Sequence, residues 1–553
     1  LAPLKFGILQ LNSTIGDYDA NRAKLVAAYE QAGRQGADFV VAPELFLCGY
    51  PPRDLLLRDD FVEASLRSLE ETARAIGGVP LCVGFVDRNT ARPGRPLINA
   101  VAVLQNRQVA WRQSKSLLPT YDVFDEDRYF EPAKETTPFD FQGRKLGITI
   151  CEDIWNDEDF WPERMYRRDP VRELIAQGAE VVVNVSASPW HAGKERTRLA
   201  MLQRVARDER VPLVQVNLIG ANDELIFDGN SVALNRHGDL LAQGKAFAED
   251  VLVVDVGATK PLTPSLSPSD GAGEASLFAA LSLGIRDYVR KCGFQSVVIG
   301  LSGGIDSAIT TVLAVEALGA DKVMGVAMPA RYSSEGSLRD AAALARNLGI
   351  RYEVLPIENT FKAVETQLAG LFAGTRPNEA EENIQSRLRG VSLMALSNKF
   401  GALVLTTGNK SEMAVGYCTL YGDMCGALAV VADVFKTDIY RLARWVNREC
   451  EIIPAASISK PPSAELRPNQ KDQDTLPPYE TLDAILDAYV VRHRSKAEII
   501  ATGFEATVVN DVINKVTFSE YKRRQAAPGL KVSPRAFGMG RRIPVAQRFR
   551  PAK

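Results

Sequence analysis

Histidine is nearly missing from this chain. Its 553 residues hold only His191, His237 and His493, which leaves little for a multi-histidine metal centre. The seven cysteines (48, 82, 151, 292, 418, 425 and 450) are odd in number, scattered and without a CxxC pair. That pattern argues against a disulfide framework or a zinc site and points to a reducing compartment, the cytoplasm. No apolar run approaches the ~18 residues of a membrane-spanning helix. The opening LAPLKFGILQLN is too short and too polar for a signal peptide and reads as a first strand. Glycine (41) and proline (30) stay near average usage, which excludes collagen-like and broadly disordered chains. Basic and acidic residues nearly cancel, 66 against 68, so there is no global charge to recruit a polyanion.

The length, at roughly 100–200 residues per domain, suggests two to four domains. The clearest break is residues 258–275, ATKPLTPSLSPSDGAGEA, rich in proline and serine and poor in large apolar side chains. The expected division is therefore 1–257, a linker at 258–275, and 276–553. Before the break, β-branched runs at 39–41, 81–85, 146–150, 181–185 and 213–216 are interspersed with helical patterns at 21–33, 61–76 and 195–209. This describes a layered α/β domain. After it, strands at 296–301, 323–328, 352–356 and 403–407 alternate with helices at 307–318 and 338–348. That succession predicts a doubly wound parallel sheet, with ligands beyond the carboxyl ends of its strands. The stretch 460–478 is proline-rich and polar, hence a loop, and the residues from Tyr521 onward carry ten Lys/Arg and no acid. Internal repeats and coiled-coil heptads are not found.

Three reactive side chains fall at expected strand ends in the first half. Glu44 follows FVVAP, Lys115 lies in VAWRQSKSLLP, and Cys151 follows KLGITI. A cysteine can attack a carbonyl, a carboxylate can take its proton, and a lysine can stabilise the developing oxyanion, with no histidine required. Singly, each has a structural reading: a small core residue, a helix-start acid, a solvated charge. Their contexts APELFLCGYP, KSLLPTYDVFDEDRYF and ICEDIW together resemble the nitrilase superfamily, specifically its glutamine amidotransferase branch, across about residues 4–256. The resemblance implies an α-β-β-α sandwich and glutamine hydrolysis through a thioester on Cys151. It further implies Tyr121 lining the glutamine site and Glu126 as an acid supporting the lysine. From NVSASPWHAGK, Ser188 and Lys194 would contact the glutamine α-amino or α-carboxylate group. His191 in that loop is assigned no role.

In the second half, Ser302-Gly303-Gly304-Ile305-Asp306-Ser307 follows the strand VVIGL and opens a helix. Glycines allow close backbone approach, and N–H groups at a helix start point at phosphate. Ser302 and Ser307 add hydroxyl donors, and Asp306 can hold Mg²⁺ on a released pyrophosphate. The Walker lysine is missing, which excludes an ordinary P-loop kinase or GTPase. SGGIDS resembles the N-type ATP pyrophosphatases. MPARYSS, NIQSRLRG, LTTGNKSEMAVGYCTLYGD, VFKTDIYRLA and KPPSAELRPNQKDQD extend the resemblance to the NAD⁺ synthetase family. By it, Thr407 and Lys436 would contact ATP, and Glu412 and Ser463 would complete the ATP and Mg²⁺ site. Asn383, Arg387, Tyr417, Thr419 and Asp423 would bind deamido-NAD⁺, partly from a neighbouring subunit of a homodimer. Two positions depart from the family pattern: Ser463 stands where a threonine is expected, and Glu465 where an aspartate is.

Together the halves imply a ligase in the final step of NAD⁺ biosynthesis. Glutamine-derived ammonia, shielded in transit, would amidate adenylated deamido-NAD⁺. Glutamine, ATP and deamido-NAD⁺ are its expected substrates and Mg²⁺ its ion, with no tightly bound organic cofactor, nucleic acid or membrane partner. A larger homo-oligomer built on synthetase dimers is expected. The alternatives are an amidotransferase for another acceptor, a nitrilase with a degenerate second domain, and a nucleic-acid binder using the basic tail, which could instead pack against the body. The sequons at 12–14 and 184–186 are read as chance matches.

Overall fold

A computed structural model describes residues 3–91, 93–157, 160–161, 163–258 and 272–549. The chain divides into two units, Leu1–Ser269 and Asp270–Lys553. Most of the expected linker lies outside the described residues; its last part, from residue 272, already belongs to the helix Ala272–Lys291.

The first unit stacks two six-stranded sheets. One runs Asp250–Asp255, Lys5–Gln10, Phe39–Val41, Leu81–Arg88, Leu97–Gln105, Gln108–Ser114, and the other Leu240–Gln243, Val232–Leu234, Leu213–Asn217, Val181–Ser186, Arg144–Ile150, Phe139–Phe141. Their central strands, such as Phe39–Val41, Val181–Ser186 and Leu213–Asn217, are buried on both faces, which explains why they read as unbroken β-branched runs. Phe6, Ile8, Val41 and Val101 of one sheet interdigitate with Ile148, Val183 and Val216 of the other. Helices Tyr18–Arg34 and Asp59–Ala75 cover one outer face, and Lys194–Asp208 the other. The result is the α-β-β-α sandwich.

In the second unit the strand order is Arg351–Val354, Val323–Ala327, Val297–Gly300, Leu403–Thr406, Leu428–Ala429, all parallel. The chain starts at the middle strand, winds outward, then returns to its other side. The topological switch therefore lies between Val297–Gly300 and Leu403–Thr406, where ligands of such sheets bind. Val298, Val326 and Val404 pack against Leu388 and Leu393 of the long helix Glu379–Phe400. The helix expected from 338 starts at Glu335, because the Ser334 hydroxyl caps it by accepting from the Ser337 N–H at 3.1 Å. The strand Leu428–Ala429 was not foreseen; two residues give no periodicity to read.

Candidate functional site

Each unit has its own constellation. In the first, Glu44, Lys115 and Cys151 stand just beyond the strands Phe39–Val41, Gln108–Ser114 and Arg144–Ile150. Gly84 makes room for the Glu44 turn: a Cβ there would lie 2.2 Å from the Leu45 nitrogen. Cys151 occupies a left-handed conformation, φ +43°, at the sharp change from strand to the short turn Cys151–Ile154. Backbone strain of this kind clusters at functional sites.

Lys115 and Glu44 are wholly buried. The lysine donates to Glu44 Oε1 at 2.7 Å and to both oxygens of Glu126 at 2.9 and 2.8 Å. Asn99 Nδ2 donates to Glu44 Oε1 at 2.8 Å, the Ala187 N–H to Glu44 Oε2 at 2.9 Å, and Tyr50 to Glu126 at 2.9 Å. Burial works against the lysine's charge, but Glu126 and Glu44 outweigh it and hold its pKa well above the ordinary value. Burial, reinforced by Glu44 and opposed by Lys115, pushes the Cys151 thiol well up. The sulfur thus rests protonated beside a carboxylate and an ammonium. Glu126 is engaged with Lys115, Tyr50 and Asn99, as an acid supporting the lysine would be.

Tyr121, one of the residues expected around glutamine, contacts a second buried acid. Glu152, next to Cys151, accepts from Tyr121 and Tyr166, each at 3.0 Å, and burial raises its pKa against the pull of Lys115 and those hydroxyls. Lys194 donates to the Pro189 carbonyl at 2.7 Å, and its ammonium lies 5.3 Å from the Trp155 ring centre. Ser188 is buried, its N–H donating to Asn217 at 2.9 Å. Glu152, Tyr166 and Asp153 went unremarked in the sequence. Asp153 accepts from the N–H groups of Ser116 (3.0 Å), Leu117 (2.8 Å) and Ile150 (3.0 Å), so one carboxylate ties the lysine loop to the nucleophile turn.

The second constellation surrounds a cavity of about 460 Å³ at the switch point. Of the ATP residues expected from sequence, Ser302, Gly304, Asp306, Ser307, Thr407, Lys436 and Ser463 line it. So do Glu412 and, from the expected deamido-NAD⁺ set, Asn383, Tyr417, Thr419 and Asp423. Gly303 and Arg387 do not. Gly303 faces away, at φ +76°, where a Cβ would lie 2.2 Å from the Ser337 carbonyl oxygen. It is the turn that shapes the loop, inside which the Ser302 and Ser307 hydroxyls lie 3.2 Å apart. Arg387 is on the exposed side of its helix, donating to the Leu420 carbonyl at 3.2 Å. Two residues further along the same helix, Arg389 takes the cavity-lining position.

Gly390 lets that helix approach the 417–425 segment, since a Cβ there would lie 2.8 Å from the Tyr421 oxygen. The two are then laced together: Thr419 donates to Asn383 at 2.6 Å, and Asp423 accepts from the Thr419 N–H at 2.6 Å. Burial pushes Asp423 up to about 6. Lys436 ion-pairs with Asp306 and, at 3.1 Å, with Glu412. Burial lowers the lysine's pKa, but the two acids more than offset this; burial likewise drives Glu412 upward against Lys436. Asn409 donates to Asp306 at 3.0 Å. Glu465, the departure from the family pattern, accepts from Ser334 Oγ at 2.8 Å and Ser337 Oγ at 2.7 Å. The basic tail packs against its own unit: Lys522 donates to the Gly416 and Cys418 carbonyls at 2.7 and 2.8 Å, and Arg523 is buried against Glu520.

Chemically, one constellation offers a thiol, a base and an oxyanion partner. The other offers a phosphate loop beside a carboxylate–lysine cluster. No described helix is long and apolar enough to cross a membrane.

The carbon–nitrogen hydrolase family model matches residues 5–259, and the NAD synthase model residues 277–526. The glutamine-dependent NAD(+) synthetase of Synechocystis sp. is 48% identical over 550 residues, covering 98% of this chain and 99% of that protein. The enzyme of the same description from Thermotoga maritima is 43% identical over 585 residues, covering 99% of each. A solved glutamine-dependent NAD+ synthetase from Acinetobacter baumannii, in complex with adenosine diphosphate, is 36% identical with a TM-score of 0.77, covering 100% of both chains. An end-to-end likeness of this order, joining a carbon–nitrogen hydrolase half to an NAD synthase half, means that the chain belongs to the family of glutamine-dependent NAD(+) synthetases.

Proposed function

We propose that the two constellations carry out successive halves of one ligation, in which ammonia cut from glutamine amidates deamido-NAD⁺ at the expense of ATP. Glu44 takes the Cys151 proton as sulfur attacks the side-chain amide carbon, and Lys115 stabilises the oxyanion. Collapse breaks the C–N bond, Glu44 protonates the departing nitrogen, and ammonia leaves. Water activated by Glu44 then cleaves the thioester to glutamate. Glu152 is the acid best situated to receive the substrate ammonium, with Tyr121, Ser188 and Lys194 around it. In the second cavity a carboxylate oxygen of deamido-NAD⁺ attacks the ATP α-phosphorus, and pyrophosphate departs into the N–H groups and hydroxyls of Ser302–Ser307. Ammonia then attacks the acyl carbon and AMP leaves, giving NAD⁺. The observation that carries this reading is the presence, in one chain, of a histidine-free thiol site and a phosphate loop at a topological switch.

Asp306 and Glu412 fit Mg²⁺, which is commonly held by one or two carboxylates together with substrate phosphates. When bound, Mg²⁺ would neutralise charge on those phosphates. Among the described residues no group of three or more His, Cys, Asp or Glu forms a metal cage, in keeping with an ion that arrives with its nucleotide. The exposure of Arg387 supports a deamido-NAD⁺ site completed by a second subunit, and seven free cysteines support a cytoplasmic setting.

The test is Cys151→Ala, supplied with deamido-NAD⁺, ATP, Mg²⁺ and either glutamine or ammonium chloride. The variant should make NAD⁺ and AMP from ammonium as wild type does, and none from glutamine. NAD⁺ production from glutamine by the variant would remove Cys151 from the mechanism.

A further inference from the structure

Four cations line the nucleotide cavity: Arg389, Lys436, Lys460 and Lys522. Three are already engaged. Lys436 lies between Asp306 and Glu412, Lys460 pairs with Asp340 at 3.1 Å, and Lys522 donates to two backbone carbonyls. Arg389 differs. Its Nε donates to the Met328 carbonyl at 3.0 Å, and among the described residues no carboxylate comes within ion-pair distance of its guanidinium. Burial lowers its pKa, with Glu465 and Asp423 pulling the other way from a distance. A half-buried guanidinium lining the cavity, anchored at one corner and lacking a contacting anion, is prepared for an anion that arrives with substrate.

Its location narrows which anion. Helix Glu379–Phe400 packs on the strands Val297–Gly300 and Leu403–Thr406 that flank the switch point. Met328, the anchor, directly follows the neighbouring strand Val323–Ala327. Asp423 belongs to the segment proposed for deamido-NAD⁺, and Glu465 lies two residues beyond Ser463, proposed for ATP. Arg389 therefore sits between the two substrates' parts of the cavity. There a carboxylate must approach a phosphate, two anions that repel.

We propose that Arg389 is a catalytic residue of the adenylation step, its two terminal amino groups bridging the deamido-NAD⁺ carboxylate and the ATP α-phosphate. As the carboxylate oxygen bonds to phosphorus and the bond to pyrophosphate breaks, the electron pair leaves on pyrophosphate, and the guanidinium holds the charge spread over the α-phosphoryl oxygens. The planar fork matters because one nitrogen keeps the Met328 anchor while two remain for two different anions. A lysine carries its three donors on one nitrogen and cannot reach acceptors spread as widely as the three nitrogens of the guanidinium fork. This inference rests on the reading that deamido-NAD⁺ is adenylated.

The experiment measures exchange of labelled pyrophosphate into ATP with deamido-NAD⁺ and Mg²⁺ but no nitrogen source, which isolates adenylation, alongside ammonium-supported NAD⁺ synthesis. Wild type, Arg389→Gln and Arg389→Lys are compared at saturating substrates, with thermal unfolding as the check on folding. Loss of one preorganised charge donor predicts a fall of about 100-fold or more in exchange. Synthesis should fall by the same factor, and Arg389→Lys should recover little of either. The proposal is overturned if Arg389→Gln exchanges like wild type, if saturating ATP or deamido-NAD⁺ restores its rate, or if Arg389→Lys is fully active. Should Arg389→Gln not fold, Arg389→Lys alone decides by its exchange rate. Wild type without exchange would refute adenylation itself, a result distinguishable from failure of Arg389.

Discussion

Asp153 joins two parts of the first constellation through backbone N–H groups alone. Cys151 and Lys115 come from strand ends far apart in sequence, and the three N–H groups collected by Asp153 fix the lysine loop against the nucleophile turn. Burial pushes this carboxyl up to about 7, opposed by the N–H groups it accepts from. Below that pH a proton occupies one oxygen, which then meets an N–H as donor against donor, and the clamp loosens. Glutamine hydrolysis by wild type should therefore weaken as pH falls through about 7. Asp153→Asn, which offers one acceptor oxygen at every pH, should lack that acid limb. Its glutaminase kcat should drop by about 100-fold, the order seen when a preorganised oxyanion partner is lost, while ammonium-supported NAD⁺ synthesis stays at the wild-type rate. Steady-state glutamate release from pH 5.5 to 9 measures both effects, and an unchanged acid limb in the variant would exclude Asp153 as its source. The three reactive residues were legible from sequence because cysteine, lysine and glutamate at strand ends in matching contexts are uncommon together. Asp153 was not, because its partners are backbone N–H groups, one pair of them more than thirty residues away, and no side-chain pattern encodes such a contact.

The elements divide in the same way. The central strands were readable wherever both faces are buried, as in Val181–Ser186 and Val297–Gly300, because burial enforces β-branched runs. The hairpin Leu97–Gln105 to Gln108–Ser114 was harder, because its outer strand alternates with exposed polar residues and its turn uses Asn106 and Arg107 at positive φ where glycine would have signalled it. On the helix Glu379–Phe400, the motif NIQSRLRG drew attention to Arg387, yet the helical register turns Arg389 to the cavity and Arg387 outward. Only the packing against Tyr421 and Gly422, permitted by Gly390, sets that register. The phosphate loop depends on backbone shape in a manner that can be tested directly. Gly303 combines φ +76° with a backbone oxygen 2.2 Å from where a Cβ would lie. Gly303→Ala thus meets both an unfavourable conformation, about 1–3 kcal/mol, and a clash with an atom held by the start of helix Glu335–Leu348. The loop should open, with pyrophosphate release from ATP and deamido-NAD⁺ falling below a few percent of wild type whatever the nitrogen source. Glutamine hydrolysis in the other unit should persist. Normal pyrophosphate release by Gly303→Ala would show that the loop's shape is not needed for the chemistry.

Across the whole molecule, charge separates the two half-reactions. The glutaminase network sets one buried cation, Lys115, between two acids, Glu44 and Glu126, and its proposed substrate, glutamine, carries no net charge at neutral pH, so that half needs no added cation. The synthetase cavity is different. Seven carboxylates line it, from Asp306, Glu379, Glu382, Glu412, Asp423, Glu465 and Asp472, against four cations. Yet its proposed substrates are both polyanions. An acidic cavity receives polyanions only when cations come with them, because in a partly buried site uncompensated like charges repel strongly. Asp306, within the phosphate loop itself, and Glu412, joined to it through Lys436, are the acids through which a divalent ion would act. Removing divalent ions with EDTA should therefore abolish NAD⁺ and AMP formation from both glutamine and ammonium, and Mg²⁺ in excess of chelator should restore it. Glutamine hydrolysis measured without ATP or deamido-NAD⁺ should not respond to either addition. Ammonium-supported NAD⁺ synthesis that survived complete chelation would mean that the four cations suffice, and the acidic lining would then need another explanation.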